Sequence, residues 1–199
     1  MSGSQLVLAS SSFIRKQILT GAGLKFEVRV GDVDEDEIKQ SALAKNKTPA
    51  ELATLLALAK AQYTPPRQSE FIIGADQLLE MDGGLYDKPK SMAEAKTRLL
   101  KMRGREHRLV GAVVVVEDGQ APWVHVSTTR LFMRTFSEAF LDTYLQSEGE
   151  DLLKSVGAYM FEARGAQLFD WVKGDFYAIL GLPLLPLLGH LRERGAVPS

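Results

Sequence analysis

The sequence predicts an α/β protein built on a sheet that is partly antiparallel. Three observations point there. Short runs of β-forming apolar residues recur along the chain. Segments with apolar residues at helical spacing open on side-chain caps. The two kinds mix without the strict alternation that an all-parallel sheet requires.

Taken in order, Gln5–Ala9 is a short apolar strand run that ends on Ser10, Ser11 and Ser12. Ser12 caps a predicted helix over Phe13–Thr20, which Gly21 and Gly23 stop. Phe26–Val30 reads as a second strand, and the acidic stretch Asp32–Glu37 as the opening of a polar loop. Thr48, Pro49 and Glu51 form a capping box with proline at the first helical position. The helix it starts runs to about Tyr63 and is predicted to bury Leu52, Leu55, Leu56 and Ala59.

Phe71–Glu80 reads as a strand interrupted at Gly74, Ala75 and Asp76, with a turn at Asp82, Gly83 and Gly84. Ser91 and Glu94 mark a second capping box, and the helix behind it buries Ala95, Leu99 and Met102. Leu109–Glu117 and Val124–Thr135 read as a hairpin across Asp118, Gly119 and Gln120. Ser137 caps a helix to about Gln146. Gln167–Val172 and Phe176–Leu180 read as short strands, and Gly181–Arg194 as a terminal helix with prolines in its early turns. The sequence shows no internal repeat, low-complexity tract or linker.

Composition narrows the function classes. The 199 residues carry 24 Lys plus Arg against 25 Asp plus Glu, a net charge of −1. That balance argues against a dedicated nucleic-acid binder, while leaving room for a local basic pocket. With no cysteine, disulfides and thiolate metal sites are ruled out, and three scattered histidines do not make a zinc site. The start of the chain lacks a basic segment followed by a long apolar run, and Val113–Val116 is far too short to span a bilayer. A cytoplasmic protein with no membrane partner is the resulting expectation.

No Walker-type phosphate loop and no Gly-x-Gly-x-x-Gly turn is present. What remains is a scattered set of charged residues near element ends. The helix that starts after Ser10 and Ser12 carries Arg15 and Lys16 in its first turns. Hydroxyls, free amides and the positive helix end make a phosphate cradle there, although a serine-rich stretch is also an ordinary cap. Asp76 follows an apolar strand and is either a loop-facing acceptor or a catalytic base or metal ligand. Lys60 and Lys88, taken singly, read as solvated lysines, and the run Asp32–Glu37 as a wet loop.

The joint order of these pieces resembles the Maf family. It is carried by Leu6–Ser12, Arg15, Val33-Asp34-Glu35, Ala59-Lys60-Ala61, Ile73-Gly74-Ala75-Asp76, Lys88-Pro89, Gly157-Ala158-Tyr159, Gly174–Tyr177 and Gly181-Leu182-Pro183, and it covers Leu6 to about Gly195. The resemblance implies nucleoside triphosphate pyrophosphatase chemistry, to a nucleoside monophosphate and pyrophosphate, in a house-cleaning role. It implies an inosine triphosphate pyrophosphatase-like fold over residues 1–199 as one domain. That fold is a long mixed sheet flanked by helices, in two lobes around a deep cleft. A homodimer is implied as well.

On the same footing, Asp76 corresponds to the family's proton acceptor, acting with Glu35 and Lys88. Glu35 and Asp76 would hold a divalent metal cation, Mg²⁺ foremost with Mn²⁺ or Co²⁺ as alternatives. Ser10, Ser12, Arg15, Lys16 and Lys60 would bind phosphate, and Ile14, Gln77 and Glu162 stand at positions tied to base specificity. Uracil and thymine present an acceptor beside a donor, which suits an amide, whereas guanine presents two adjacent donors, which suit a carboxylate. Glu162 therefore favours a guanine-type edge, and Gln77 with Glu162 is the pair found in the subgroup that cleaves 7-methyl-GTP. The chain departs from that pattern at Phe13 and Ile14, where Pro-Trp is usual. It also departs at Lys16, where the family has a second Arg, at Gly111 for Thr and at Ala178 for Asn. A nucleotide-binding regulator of septum formation is the rival that the family association raises.

Overall fold

The computed structural model describes residues 5–198, so the opening of the N-terminal reading, Met1 to Ser4, lies outside the described residues. Strand β1 (Gln5–Leu8) runs parallel to β2 (Phe26–Val28) on one side and to β3 (Glu70–Met81) on the other, with Leu8 opposite Val28 and Ile73. Strand β4 (Gly84–Tyr86) returns antiparallel along the end of β3. Asp82 and Gly83 both take positive φ between them, which lets the tight turn follow the twist of its strands. Strands β5 (Glu106–Glu117) and β6 (Trp123–Met133) are neighbours, and β7 (Phe169–Lys173) lies antiparallel to β6. The order is β2-β1-β3-β5-β6-β7 with β4 beside β3, a mixed sheet as expected.

The helices are α1 (Phe13–Gly21), α2 (Glu35–Ala44), α3 (Pro49–Gln62), α4 (Met92–Met102), α5 (Glu138–Glu148), α6 (Phe176–Ile179) and α7 (Leu184–Glu193). The caps read from sequence are formed: Ser12, Ser91 and Ser137 accept backbone amides, and Thr48 and Glu51 make a reciprocal box. The Ser91 box is one-sided, because Glu94 takes the amide of Lys90 instead.

Five expectations are corrected. Asp32–Glu37 does not simply open a loop: Asp34 caps α2, and Glu35, Asp36 and Glu37 fill its first turn, where carboxylates favour a helix start. Strand β3 is continuous through Gly74, Ala75 and Asp76. On α3 the buried stripe is Leu52, Ala53, Leu56, Ala57 and Ala61, leaving Leu55 exposed and Ala59 only half-buried. Phe176–Ile179 is a short helix rather than a strand, and the terminal helix begins at Leu184, after Pro183.

The chain separates into two compact units. One takes residues up to Gln77, Gly111–Ser127 and the segment from Phe176 onward; the other takes Leu78–Val110 and Thr128–Asp175. Strands β3, β5 and β6 contribute residues to both. The core of the first unit packs Leu8, Ile73, Ala75 and Val113 of the sheet against Leu19 of α1 and Leu187 of α7. The second buries Leu99 and Met102 of α4 with Leu131, Met133 and Leu141.

Candidate active site

The site of the first unit is built by the packing of α3 on β3. Side chains alternate along a strand, so Gly74 and Asp76 leave the same face. A Cβ on Gly74 would fall 2.2 Å from the Ala57 carbonyl oxygen and 2.9 Å from the Ala61 Cβ. Only glycine lets α3 come so close, and Ala57 and Ala61 are the small residues that meet it. Lys60, one position before Ala61, is thereby carried onto Asp76.

The Lys60 ammonium donates to Asp76 Oδ1 at 2.6 Å and lies 2.9 Å from Glu35 Oε1. One cation thus holds two carboxylates from different elements, the first turn of α2 and the middle of β3. Asp76 is buried and Lys60 half-buried, so their interaction is screened less than one on the surface. Asp76 sits within the strand, not at its end, and it is Gly74 rather than a bend that makes room for its partner.

Arg15 is the second cation of the site, and it is buried. It donates from Nε to the Gly181 carbonyl oxygen at 2.8 Å and from Nη1 to the Ser10 hydroxyl at 3.0 Å. Burial pushes the guanidinium below its usual pKa, opposed by the negative charges of Asp76 and Glu35. Among the described residues no carboxylate hydrogen-bonds to it; its partners are a carbonyl and a hydroxyl. A buried cation held by neutral oxygens gains more from an incoming anion than one already in a salt bridge. Ser10 Oγ also accepts the Ser12 amide, and Ser12 Oγ accepts the Arg15 amide, so the serine run shapes the helix start around the arginine.

The structure brings Ser10, Arg15, Glu35, Lys60 and Asp76 into one neighbourhood. Gln77 joins them by hydrogen bonds to the α6 backbone. Lys16 is half-buried one residue beyond Arg15, and Ile14 packs against the core of the unit. The departures at Gly111 and Ala178 also lie here: a Cβ on Gly111 would be 3.4 Å from the Asp76 carbonyl, and Ala178 is buried. Lys88 and Glu162 belong to the second unit, Lys88 exposed in the loop after β4 and Glu162 exposed in a turn that follows Tyr159.

Sequence reasoning missed Gly74 as the contact that seats α3 and Gly181 as the partner of Arg15. The signal for Gly181 is a glycine followed by Leu182-Pro183 before a helix, and its φ of +93° explains the residue choice. As oxygen donors, Glu35 and Asp76 suit a hard divalent cation. Among the described residues, no group of three or more His, Cys, Asp or Glu could hold a metal ion. Two carboxylates completed by substrate phosphate oxygens match the usual way Mg²⁺ is held. Among the described residues, no helix is long and apolar enough to cross a membrane.

A family model described as Maf-like protein matches residues 5–194. A Granulibacter bethesdensis protein named nucleoside triphosphate pyrophosphatase is 48% identical over 97% of this chain and 98% of its own. A Caulobacter vibrioides protein of the same name is 46% identical over 99% of each chain. A Rhizobium meliloti protein named 7-methyl-GTP pyrophosphatase is 43% identical over 98% of each.

Proposed function

Because the chain belongs to the Maf-like protein family, we propose that it hydrolyses a nucleoside triphosphate to the monophosphate and pyrophosphate, with Asp76 as proton acceptor. The observation that carries this reading is the Lys60 ammonium bridging Asp76 and Glu35 beside the buried Arg15. Carboxylate and cations converge there as in-line attack on a phosphorus requires.

Water attacks the α-phosphorus, its oxygen forms the new P–O bond, and its proton passes to Asp76. Lys60 is bonded to Oδ1, which fixes the carboxylate and leaves Oδ2 to accept that proton. The bond from the α-phosphorus to the bridging oxygen breaks, and pyrophosphate leaves with that oxygen. Arg15 neutralises phosphate charge from its fixed position, with Ser10, Ser12, Lys16 and Lys60 around it and Lys88 assigned to the leaving pyrophosphate. A divalent cation held by Glu35 and Asp76 would polarise the phosphate oxygens when bound.

The base is read as guanine-type, 7-methyl-GTP included. The carboxylate of Glu162 and the name of the Rhizobium meliloti relative support that choice. A homodimer in the cytoplasm follows the family resemblance, and sedimentation of the purified chain reads out the dimer.

Hydrolysis in heavy-oxygen water tests the reaction. The label enters the monophosphate if water attacks the α-phosphorus. Label in inorganic phosphate, with a nucleoside diphosphate as the other product, would overturn the assignment.

A further inference from the structure

Gln77 follows Asp76 on β3, so its side chain leaves the opposite face of the strand, the one that Ile73 and Ala75 present to the core. There its amide nitrogen donates to the carbonyl oxygens of Ala178 at 2.6 Å and Ile179 at 3.2 Å. These carbonyls lie at the end of α6, and that of Ala178 also accepts the Gly181 amide at 3.1 Å, which tightens the turn. An amide nitrogen carries two hydrogens, enough to serve both carbonyls.

Two residues further on, the Gly181 carbonyl accepts Nε of Arg15. A Cβ on Gly181 would lie 3.5 Å from Arg15 Nη2 and 3.6 Å from Gln77 Oε1, so both side chains close on one turn. The φ of +93° at Gly181 is a conformation that other residues adopt only under strain. The turn is thus held from two sides, and its last carbonyl, together with the Ser10 hydroxyl, orients the guanidinium.

We infer that Gln77 is a positioning residue, clamping the Ala178–Gly181 turn and through the Gly181 carbonyl setting the phosphate-facing geometry of Arg15, rather than a reader of the base. The inference rests on Arg15 binding phosphate in the proposed reaction. A base reader at position 77 would change which nucleotide is preferred. A clamp changes how every triphosphate is held, and it acts on ligands that carry no base at all.

The test uses Gln77→Met, which keeps side-chain length and removes the donors, with two readouts. These are kcat/KM for pyrophosphate release from GTP, 7-methyl-GTP, UTP, dTTP and CTP, and the Kd of inorganic pyrophosphate by calorimetry. The clamp predicts that kcat/KM falls on the order of tenfold to a hundredfold on every nucleotide with the ranking kept, and that pyrophosphate binds more weakly. A changed ranking with unaltered pyrophosphate affinity would overturn it, as would no change in either readout. If Gln77→Met does not fold, Gln77→Asn, an amide one methylene short, supplies both readouts. A wild-type protein that releases no pyrophosphate from any nucleotide defeats the functional reading, and the pyrophosphate Kd then still reports on the clamp.

Discussion

The Cα of Gly74 lies against the Ala57 carbonyl so closely that an added methyl carbon would sit 2.2 Å from its oxygen. That approach sets how near α3 comes to β3, and hence where Lys60 meets Asp76. Gly74→Ala must push the helix outward, and overpacking of this kind costs about 1–3 kcal/mol. Thermal melts will show a lowered Tm together with lost activity. Gly21→Ala, where the added carbon meets nothing within 4 Å, leaves both nearly unchanged.

Lys60→Gln removes the cation that Asp76 and Glu35 share. The carboxylates then lose the ammonium they share, leaving Arg15 as the remaining nearby cation, and the phosphate loses a donor. Activity is expected to fall roughly 10²- to 10³-fold. Steady-state kinetics will place the loss in kcat as well as KM, whereas a lysine serving only as a solvated surface group would leave kcat intact.

Much of this site was hidden in the sequence for a physical reason. Side-chain caps act within four residues, so Ser12, Thr48, Ser91 and Ser137 announced their helices. Helix α2 buries only Ala42, so no apolar stripe marked it, and its acidic first turn looked like a solvated loop. Phe176–Ile179 is a four-residue apolar run, too short for periodicity to separate strand from helix. Lys60 read singly is an ordinary lysine. Its meeting with a carboxylate sixteen positions away depends on Gly74, which the sequence presented as a break in a strand. The family resemblance named Lys60 and Asp76 together, but the contact that joins them is visible only in three dimensions.

His107 makes stability depend on pH. The ring is 2% exposed, with Nε2 at 2.9 Å from the Tyr159 hydroxyl and Nδ1 buried with no hydrogen-bond partner among the described residues. Burial pushes its pKa down to about 4, partly opposed by Glu106. The unfolded chain, with an ordinary value near 6.5, therefore binds a proton that the folded chain refuses between those limits. This contribution is complete above about pH 6.5 and is lost as pH falls toward 4. Between about pH 7.5 and about pH 5 it amounts to about 2 kcal/mol. Urea midpoints at the two pH values will show the loss, and His107→Gln, which does not titrate, will reduce it.

Glu162→Gln exchanges an acceptor for both guanine donors for an amide that suits uracil and thymine. Under the proposed reading, the ranking of nucleotides moves away from guanine bases while pyrophosphate affinity holds. An unchanged ranking would remove Glu162 from base recognition.

The central claim is that Asp76, fixed by Lys60, takes the proton from the attacking water. Pyrophosphate release from the preferred nucleotide by wild type and by Asp76→Asn measures it directly, with nucleotide binding followed in parallel. The account predicts a loss of roughly 10²- to 10⁴-fold in kcat with nucleotide still bound. An Asp76→Asn protein that releases pyrophosphate at the wild-type rate would contradict it.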